Sequence, residues 1–206
     1  MVRSSEIRVT SGQFRGRRLQ AGVSGTHPMG AREKLALFNM VKVESIKVLD
    51  LYAGSGALGI EALSRGATEA VFVESAKPAV SVIESNLQQL GIHVIEMRSG
   101  HSSVTSAAGE GSYLEADYPC AKVYHETVQK FISRSEYFKY FQVIFADPPY
   151  DDFRPNQFQT VAQLLSKEGI LALSSPAAQP ALPLDNLTLI SSRSYANARI
   201  TLYRKA

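Results

Sequence analysis

Four consecutive residues, Asp147-Pro148-Pro149-Tyr150, carry the most specific chemistry in the chain, and they follow the apolar run 143–146. Two successive prolines fix the backbone and remove two N–H donors, so their carbonyls and the Asp147 carboxylate form a rim that accepts hydrogen bonds. Such a rim suits an exocyclic amine, because accepting its hydrogens localises electron density on the nitrogen. The Tyr150 ring offers a stacking face, worth about 1–3 kcal/mol for a nucleic-acid base. The tetrad therefore predicts a pocket for a flat substrate that bears an amino group.

A second motif is the glycine loop Gly54-Ser55-Gly56-Ala57-Leu58-Gly59, which has the pattern G-x-G-x-x-G between a predicted strand and a predicted helix. Glycines let the backbone turn tightly and let a ligand approach closely. The following helix offers N–H groups at its positive end. Glu74 lies 20 residues after Gly54, where a carboxylate can accept the hydrogens of both ribose hydroxyls. The loop therefore predicts a nucleotide-like cofactor.

Asp50, four residues before Gly54, distinguishes between two such cofactors. A carboxylate here would repel the pyrophosphate of NAD but would attract the ammonium group of a methionine moiety. The residues therefore favour S-adenosylmethionine, and with the tetrad they predict methyl transfer to an exocyclic nitrogen of a base. The alternative, an NAD-dependent oxidoreductase, would bind a dinucleotide and would not depend on Tyr150.

The N-terminal segment carries most of the positive charge. Residues 1–42 contain eight Lys or Arg against two Glu, a net charge of +6, whereas the whole chain has +3 and the remainder therefore −3. Residues 7–20 predict a small β-hairpin that presents Arg15, Arg17 and Arg18, with Phe14 as an interleaved aromatic. This distribution indicates that a polyanion docks at the N-terminal segment. A solvated basic tail is the alternative that charge leaves open.

These motifs need a sheet that brings the glycine loop and the tetrad into one crevice. Apolar runs alternate with helical segments, which predicts an α/β fold: a doubly wound, mostly parallel, Rossmann-like sheet with an N-terminal hairpin and helix extension. The last two strands have no helix between them and predict an antiparallel closing pair. Seven strands are expected, near residues 48–52, 70–74, 94–97, 143–147, 170–173, 187–190 and 198–203, with helices near 31–43, 57–65, 77–90 and 157–166.

We expect the chain to divide into an N-terminal hairpin and helix that bind a polyanion (1–43) and a catalytic domain (44–206). Residues 99–112 are rich in Ser, Gly and Ala without periodicity, so we expect a mobile insertion over 98–121. Cys120 is the only cysteine, which excludes an intrachain disulfide and fits a reducing, cytoplasmic environment. No apolar run reaches the roughly 18 residues of a membrane span. We expect a monomer without a metal site or a membrane partner.

Together these features resemble the RsmD-type family of bacterial 16S ribosomal RNA guanine-N2 methyltransferases, within the class I S-adenosylmethionine-dependent fold. The resemblance covers nearly the whole chain outside residues 98–121. It rests on the following stretches: Ile7-Arg8-Val9, Gly12, Gly16-Arg17-Arg18-Leu19, Ala36-Leu37-Phe38-Asn39, Asp50 to Gly59, Glu61 to Ala67, Phe72-Val73-Glu74, Asn86-Leu87 and Asp147 to Tyr150.

The resemblance implies a role for each motif, with 16S rRNA, the 30S subunit or an assembly intermediate as the partner. Catalysis would lie at Asp147, Pro148, Pro149 and Tyr150. S-adenosylmethionine would contact Asp50, Tyr52, Ala53, Gly54, Ser55, Gly56, Gly59, Glu74, Ser75 and Thr127. RNA would contact Arg8, Arg15, Arg17, Arg18 and Arg32.

Two stretches depart from the family pattern. The family has Arg-Pro-Thr before the first helix, where this chain has His27-Pro28-Met29, although Arg32 is retained. The family also has a Gly-Asp pair near the adenine ring, where this chain has Glu126-Thr127. A hydroxyl makes a weaker hydrogen bond than a carboxylate, so the adenine contact is expected to differ.

Two further functions remain as alternatives. Tetrads of this type also occur in adenine-N6 DNA methyltransferases, but 206 residues leave no separate target-recognition domain. A non-catalytic RNA-binding assembly protein would keep a vestigial cofactor pocket, which the altered region at Thr127 favours. Guanine is the preferred substrate because Asp147 can accept from both N1–H and N2–H, whereas the N1 lone pair of adenine repels a carboxylate.

Overall fold

A computed structural model describes residues 7–21, 29–98, 101–105, 119–195 and 197–206. The strands are β1 (Ile7–Arg8), β2 (Arg18–Leu19), β3 (Lys47–Leu51), β4 (Glu69–Glu74), β5 (His93–Arg98), β6 (His101–Thr105), β7 (Cys120–His125), β8 (Phe141–Ala146), β9 (Leu165–Pro176), β10 (Leu187–Tyr195) and β11 (Ala198–Lys205). The α-helices are α1 (Ala31–Met40), α2 (Ala57–Ser64), α3 (Lys77–Gln89), α4 (Val128–Phe131) and α5 (Gln157–Val161). Short 3-10 turns lie at Ser135–Tyr137, Tyr150–Asp152 and Ala162–Leu164.

Nine strands form one sheet in the order β10-β11-β9-β8-β3-β4-β7-β5-β6. The strands from β9 to β5 pair in parallel, whereas β11 with β9, β10 with β11 and β6 with β5 pair antiparallel. The predicted α/β fold with a mostly parallel sheet and an antiparallel closing pair is therefore confirmed. Within the described ranges, no helix is long and apolar enough to cross a membrane.

The central strands are buried on both faces, which explains their continuous apolar sequences. In β3, Val48 packs into one core cluster and Leu49 into the other, because successive side chains of a strand point to opposite faces. The first cluster also contains α2 and α3 residues, and the second contains residues of α4 and α5. Helices therefore cover both faces of the sheet.

The predicted N-terminal hairpin is present, with Ile7 opposite Leu19 in the pairing of β1 and β2. Val9 and Leu19 are buried in the same cluster as Val48. Helix α1 packs on that face too, where the Phe38 and Phe145 ring centroids are 5.3 Å apart. The N-terminal segment thus covers the face of the sheet towards which Asp50 points.

The prediction of seven strands was wrong, and β7 is the strand that it missed beside β4. The predicted strand at 94–97 forms as part of β5, which is separated from β4 by β7. In β7 the half-buried Lys122 and the exposed His125 interrupt the buried residues, so the apolar run is broken.

The interval 98–121 contains regular structure that the composition did not indicate. His101–Thr105 forms the edge strand β6, whose pairing with β5 uses main-chain groups and therefore requires no apolar periodicity. The other part of the predicted insertion, residues 99–100 and 106–118, lies outside the described residues, as do His27 and Pro28. Helix α1 ends three residues earlier than predicted, and α5 gives way to a 3-10 turn before β9 begins at Leu165.

Candidate functional site

The glycine loop and the tetrad lie side by side at the carboxyl edge of the sheet. Strand β3 is central, and the chain order reverses there, with β4 on one side and β8 on the other. Such a switch point is where open α/β sheets bind ligands. Leu51 of β3 is paired with Ala146 of β8. The residues that follow, Tyr52 and Asp147, are therefore neighbours, which is the arrangement that a shared crevice requires.

The glycine loop turns sharply as it leaves β3. Tyr52, Gly54 and Gly56 all have left-handed backbone conformations, with φ of 58°, 56° and 76°. A non-glycine residue in this region is strained and is found mainly at functional sites. Gly59 fits closely, because a Cβ atom there would come within 2.3 Å of the Phe72 ring. The loop therefore cannot be replaced by a generic turn.

Asp50 is buried, with 1% of its surface exposed, and its Oδ2 accepts a 2.8 Å hydrogen bond from the Gly59 amide. It thus satisfies an N–H group in the first turn of α2, whose N-cap Gly56 has no side chain to do so. Burial raises the pKa of Asp50 well above its ordinary value, the Gly59 amide opposes the rise, and nearby Asp147 and Glu74 add to it. Its contact with a methionine ammonium group stays a prediction.

Three carboxyl groups therefore converge on the loop: Asp50, Glu74 and Asp147. A cation between them would favour their ionised forms, whereas a phosphate would oppose ionisation. Glu74 holds the loop itself, because its Oε2 accepts from the Gly54 amide at 2.9 Å and its Oε1 from the Ala76 amide at 2.8 Å. A carboxylate has about four acceptor sites, so capacity for ribose hydroxyls remains.

The other predicted loop residues are held mainly through their main chain. Ala53 and Ser55 are buried, and the Ala53 amide donates to the Val73 carbonyl. Tyr52 is half-buried, which raises the pKa of its phenol to about 12. Ser75 follows β4, where its carbonyl lies 3.1 Å from Nε2 of His125. These positions border the crevice, and their contacts with a cofactor stay predictions.

Thr127 begins α4 at the end of β7, beside the end of β4. Its Oγ1 accepts from the Lys130 amide at 3.3 Å, so it is the N-cap of that helix. The preceding Glu126 is buried, and its carboxylate pairs with the Arg134 guanidinium at 2.8 Å. The Glu126 carboxylate is therefore occupied by a structural ion pair. Of these two residues, Thr127 is the one that we predict to contact the adenine ring.

The four residues of the tetrad, which follow β8, differ in their exposure to solvent. Pro148 is buried, Asp147 is half-buried, and Pro149 and Tyr150 are exposed, with 37% of Tyr150 accessible. Burial raises the pKa of Asp147, and a hydrogen bond with the Ser174 side chain partly opposes the rise. The Tyr150 hydroxyl lies 2.8 Å from Ser174 Oγ. An exposed aromatic ring beside a half-buried carboxylate suits a pocket in which a base stacks on Tyr150 and its edge forms hydrogen bonds with Asp147.

The N-terminal hairpin is fixed to α2 by Glu61, which is fully buried. Its carboxylate accepts from the Thr10 amide at 2.8 Å, the Thr10 hydroxyl at 2.6 Å and the Ser11 amide at 3.1 Å. It also pairs with Lys34 at 3.1 Å and Arg65 at 2.8 Å. Lys34 is only 2% exposed, so its charge belongs to this cluster and not to a docking surface.

Asn86 of α3 connects the end of the hairpin with the glycine loop. This fully buried side chain donates to the Ser55 carbonyl at 2.9 Å and exchanges two hydrogen bonds with the main chain of Gln20, at 2.7 and 3.2 Å. Glu61 and Asn86 both lie in stretches that carry the family resemblance, but the sequence assigned neither of them a role. Their polar character on a helix resembles that of any solvated face, and only the docking of the hairpin reveals their burial.

The predicted RNA-binding arginines are all exposed. Four lie on the hairpin and one in the first turn of α1, and we call the five together the arginine surface: Arg8, Arg15, Arg17, Arg18 and Arg32. Arg17 also donates to the Gln89 carbonyl at 2.9 Å, which ties the hairpin to the end of α3. Contacts between this surface and RNA stay predictions.

Comparison with known proteins covers nearly the whole described chain. A family model described as "Conserved hypothetical protein 95" matches residues 7–113 and 112–204. Ribosomal RNA small subunit methyltransferase D of Haemophilus influenzae is 27% identical over 97% of this chain and 94% of its own length. Its namesake from Escherichia coli is 31% identical over 82% of this chain and 71% of its own length. The solved structure of the Escherichia coli protein yhhF has a TM-score of 0.71 and 26% identity, covering 97% of this chain and 98% of that one.

Proposed function

The chain belongs to the RsmD-type methyltransferase family described as conserved hypothetical protein 95, and we propose that it methylates the exocyclic N2 of a guanine in 16S ribosomal RNA with S-adenosylmethionine. The observation that carries this proposal is the pairing of Leu51 with Ala146, which sets the glycine loop beside the tetrad. Relatives named as small-subunit rRNA methyltransferases support the choice of RNA.

The crevice fits a cationic cofactor better than a dinucleotide. Asp50, Glu74 and Asp147 lie around the loop, and the last two raise the pKa of Asp50. Among the described residues, a Cβ at Gly54 would meet nothing closer than the Tyr52 carbonyl oxygen at 3.9 Å. S-adenosylmethionine supplies a methyl carbon made electrophilic by the attached sulfonium. Glu74 would accept hydrogen bonds from its ribose hydroxyls, and the carboxyl groups would balance its positive charge.

The tetrad prepares the nitrogen that attacks. Asp147 and the proline carbonyls accept hydrogens of the substrate amine, which localises its lone pair for attack on the methyl carbon. As the new carbon–nitrogen bond forms, the carbon–sulfur bond breaks towards sulfur, and the nitrogen then releases one hydrogen as a proton. Such a product cation is strongly acidic, so the rate gain comes chiefly from holding the amine in line with the methyl group.

Guanine fits this edge better than adenine. An ionised Asp147 can accept from both N1–H and N2–H of guanine, whereas the N1 lone pair of adenine would face the carboxylate. Tyr150, with 37% of its surface open, offers the stacking face for a base that has left its helix. The arginine surface, anchored through Glu61 and Asn86 to the elements that carry the cofactor loop, would hold the flanking phosphates.

Incubation with radiolabelled S-adenosylmethionine and either 30S particles, protein-free 16S rRNA or duplex DNA tests this proposal. Nucleoside analysis should give N2-methylguanosine from RNA. Methyladenine in DNA as the main product would instead identify an adenine-N6 DNA methyltransferase. Calorimetry that detects no binding of S-adenosylmethionine would favour the non-catalytic assembly protein. Asp147→Ala is the matched control, because it retains the glycine loop.

A further inference from the structure

Ser174 of β9 lies next to Asp147, although the two are 27 positions apart in the sequence. Leu173 is paired with Ala146 in the parallel register of β8 and β9, so the next residues, Ser174 and Asp147, are also neighbours. Ser174 is 2% exposed. Its hydroxyl interacts with the Asp147 carboxyl group and lies 2.8 Å from the Tyr150 hydroxyl. One buried side chain therefore joins the two functional ends of the tetrad.

The hydrogens of this group can be assigned from the chemistry of its members. Burial raises the pKa of the Tyr150 phenol, so Tyr150 keeps its hydrogen at neutral pH and can donate it. A serine hydroxyl has one hydrogen and can accept at its oxygen. Tyr150 therefore donates to Ser174, and Ser174 donates to the ionised Asp147 carboxylate. Charge-assisted bonds of this kind are about twice as strong as neutral ones.

We propose that Ser174 is a positioning residue that holds the Asp147 carboxylate and the Tyr150 ring in the relative orientation that methyl transfer requires. The inference rests on the proposed function of the tetrad as the catalytic site. Ser174 would not touch the substrate, and it acts through its two neighbours. Misplacement of a reacting group by about 1 Å can reduce a rate by about 100-fold, so such a tether has catalytic consequences.

The surroundings of Asp147 make its ionisation sensitive to Ser174. In the described part of the chain, the titratable groups that face it are Asp50 from β3 and Tyr150 from its own turn. Desolvation disfavours the Asp147 anion, whereas the Ser174 hydroxyl stabilises it. Removing that hydroxyl should raise the pKa of Asp147 further, which a purely structural serine would not do.

Ser175 provides a matched control within the same strand. It is 3% exposed, so it is as buried as Ser174, but alternation along β9 directs it to the opposite face. Ser175→Ala therefore measures the effect of removing a buried hydroxyl that does not reach the tetrad. Ser174→Thr retains a hydroxyl, and Tyr150→Phe removes only the exposed partner of the tether while it keeps the stacking ring.

Steady-state methylation of RNA over a range of pH, with thermal stability measured for each variant, tests the inference. Ser174→Ala should lower kcat by about tenfold or more, leave KM for S-adenosylmethionine within about threefold, and move the acidic limb of the kcat profile to higher pH. Ser174→Thr should restore most of kcat, and Ser175→Ala should leave both kcat and the limb unchanged. The double variant Ser174→Ala/Tyr150→Phe should be no slower than Ser174→Ala alone, because both remove one tether.

A carboxyl titration by carbon NMR gives a readout that does not need turnover. The Asp147 resonance should titrate at higher pH in Ser174→Ala than in the wild type and in Ser175→Ala. An unchanged Asp147 titration, or a Ser174→Ala enzyme with wild-type kcat, would overturn the positioning role. If the wild-type protein transfers no methyl group to RNA, the proposed function fails, while the titration still decides whether Ser174 controls Asp147.

Discussion

The Gly54 amide donates a 2.9 Å hydrogen bond to the Glu74 carboxylate, which joins the ends of β3 and β4 across 20 residues of sequence. This bond holds the glycine loop open. Within the part of the chain that the structure describes, a Cβ atom at Gly54 would find no atom within 4 Å other than the Tyr52 carbonyl oxygen at 3.9 Å. The backbone at Gly54 therefore borders open space, unlike that at Gly59, which packs against Phe72.

Gly54→Ala should weaken the binding of S-adenosylmethionine by about tenfold or more, equivalent to about 1.4 kcal/mol. The added methyl group would occupy the space in which the ligand approaches the backbone. Because φ at Gly54 is 56°, the substitution should also cost about 1 kcal/mol of folding stability. Isothermal titration calorimetry measures the affinity, and chemical denaturation measures the stability.

Gly91→Ala is the control for this strain. Gly91 also has a positive φ, 71°, and a Cβ there would meet nothing within 4 Å, but it follows α3 away from the loop. The Gly91→Ala variant should lose a similar amount of folding stability and retain its affinity for S-adenosylmethionine. Equal loss of affinity in both variants would show that backbone strain, and not occupation of the crevice, weakens binding.

Asp147→Ala should abolish turnover while cofactor affinity stays within about tenfold, or 1.4 kcal/mol. The carboxylate acts on the substrate amine, whereas Glu74 and the loop hold the cofactor. In the wild type, burial raises the pKa of Asp147, and the active form is the anion, so kcat should fall as pH is lowered through that raised pKa. Rapid-quench assays and calorimetry on the same variant separate the two effects. A parallel loss of binding and turnover would make Asp147 mainly a cofactor ligand.

The central strands could be predicted because their signals are local in the sequence. Strands β3, β4 and β8 are mostly apolar, and each is followed by a motif that the chemistry of a crevice explains. Strand β7 could not be recognised in this way, since half-buried and exposed residues break its apolar pattern. Its place beside β4 comes from tertiary pairing, which overrides local propensity.

The supporting residues of the site were missed for a different reason. Ser174 reaches Asp147 through the register of two strands, and nothing near Ser174 in the sequence marks it. Glu61 looks like an ordinary helix-surface charge until the hairpin covers it. Sequence motifs thus identify the side chains that face a ligand. The side chains that position those residues cannot be identified in this way, because they come from segments that are distant in sequence and meet only in the fold.

Glu61→Gln should destabilise the protein by about 3–5 kcal/mol at neutral pH, because it leaves the buried Lys34 without its anionic partner. Burial alone would raise the pKa of Glu61, but hydrogen bonds from Thr10 and the Lys34 and Arg65 cations hold it below its usual range. A depressed carboxyl pKa contributes stability above the unfolded value of about 4.3, and this contribution is lost as pH falls through the folded value. Urea denaturation at several pH values should show the gap between wild type and variant closing in acid.

Glu44→Gln serves as the comparison for Glu61, since Glu44 is exposed in the loop before β3. It should change the free energy of unfolding by less than about 0.5 kcal/mol at every pH. If Glu61→Gln changed the free energy of unfolding as little as Glu44→Gln, the hairpin would be held by its apolar contacts alone. The ionic cluster would then make no net contribution to stability.

Replacing Arg15, Arg17 and Arg18 with alanine should weaken RNA binding and flatten its salt dependence. Each arginine that neutralises a phosphate releases counterions, so the slope of log K against log salt should fall by about 2 in magnitude for single-stranded RNA.

The control removes three exposed cations from β9 to β11, Lys167, Arg193 and Arg204, and thereby matches the lost charge. Filter binding between 50 and 200 mM salt, about the range in which such contacts weaken most, compares the variants. Stability should fall by no more than about 1 kcal/mol, because Glu61 is the buried anchor of the hairpin and the Arg17 bond to the Gln89 carbonyl is exposed. An equal loss of slope in both triple variants would mean that net charge attracts the RNA and that the arginine surface is not where it docks.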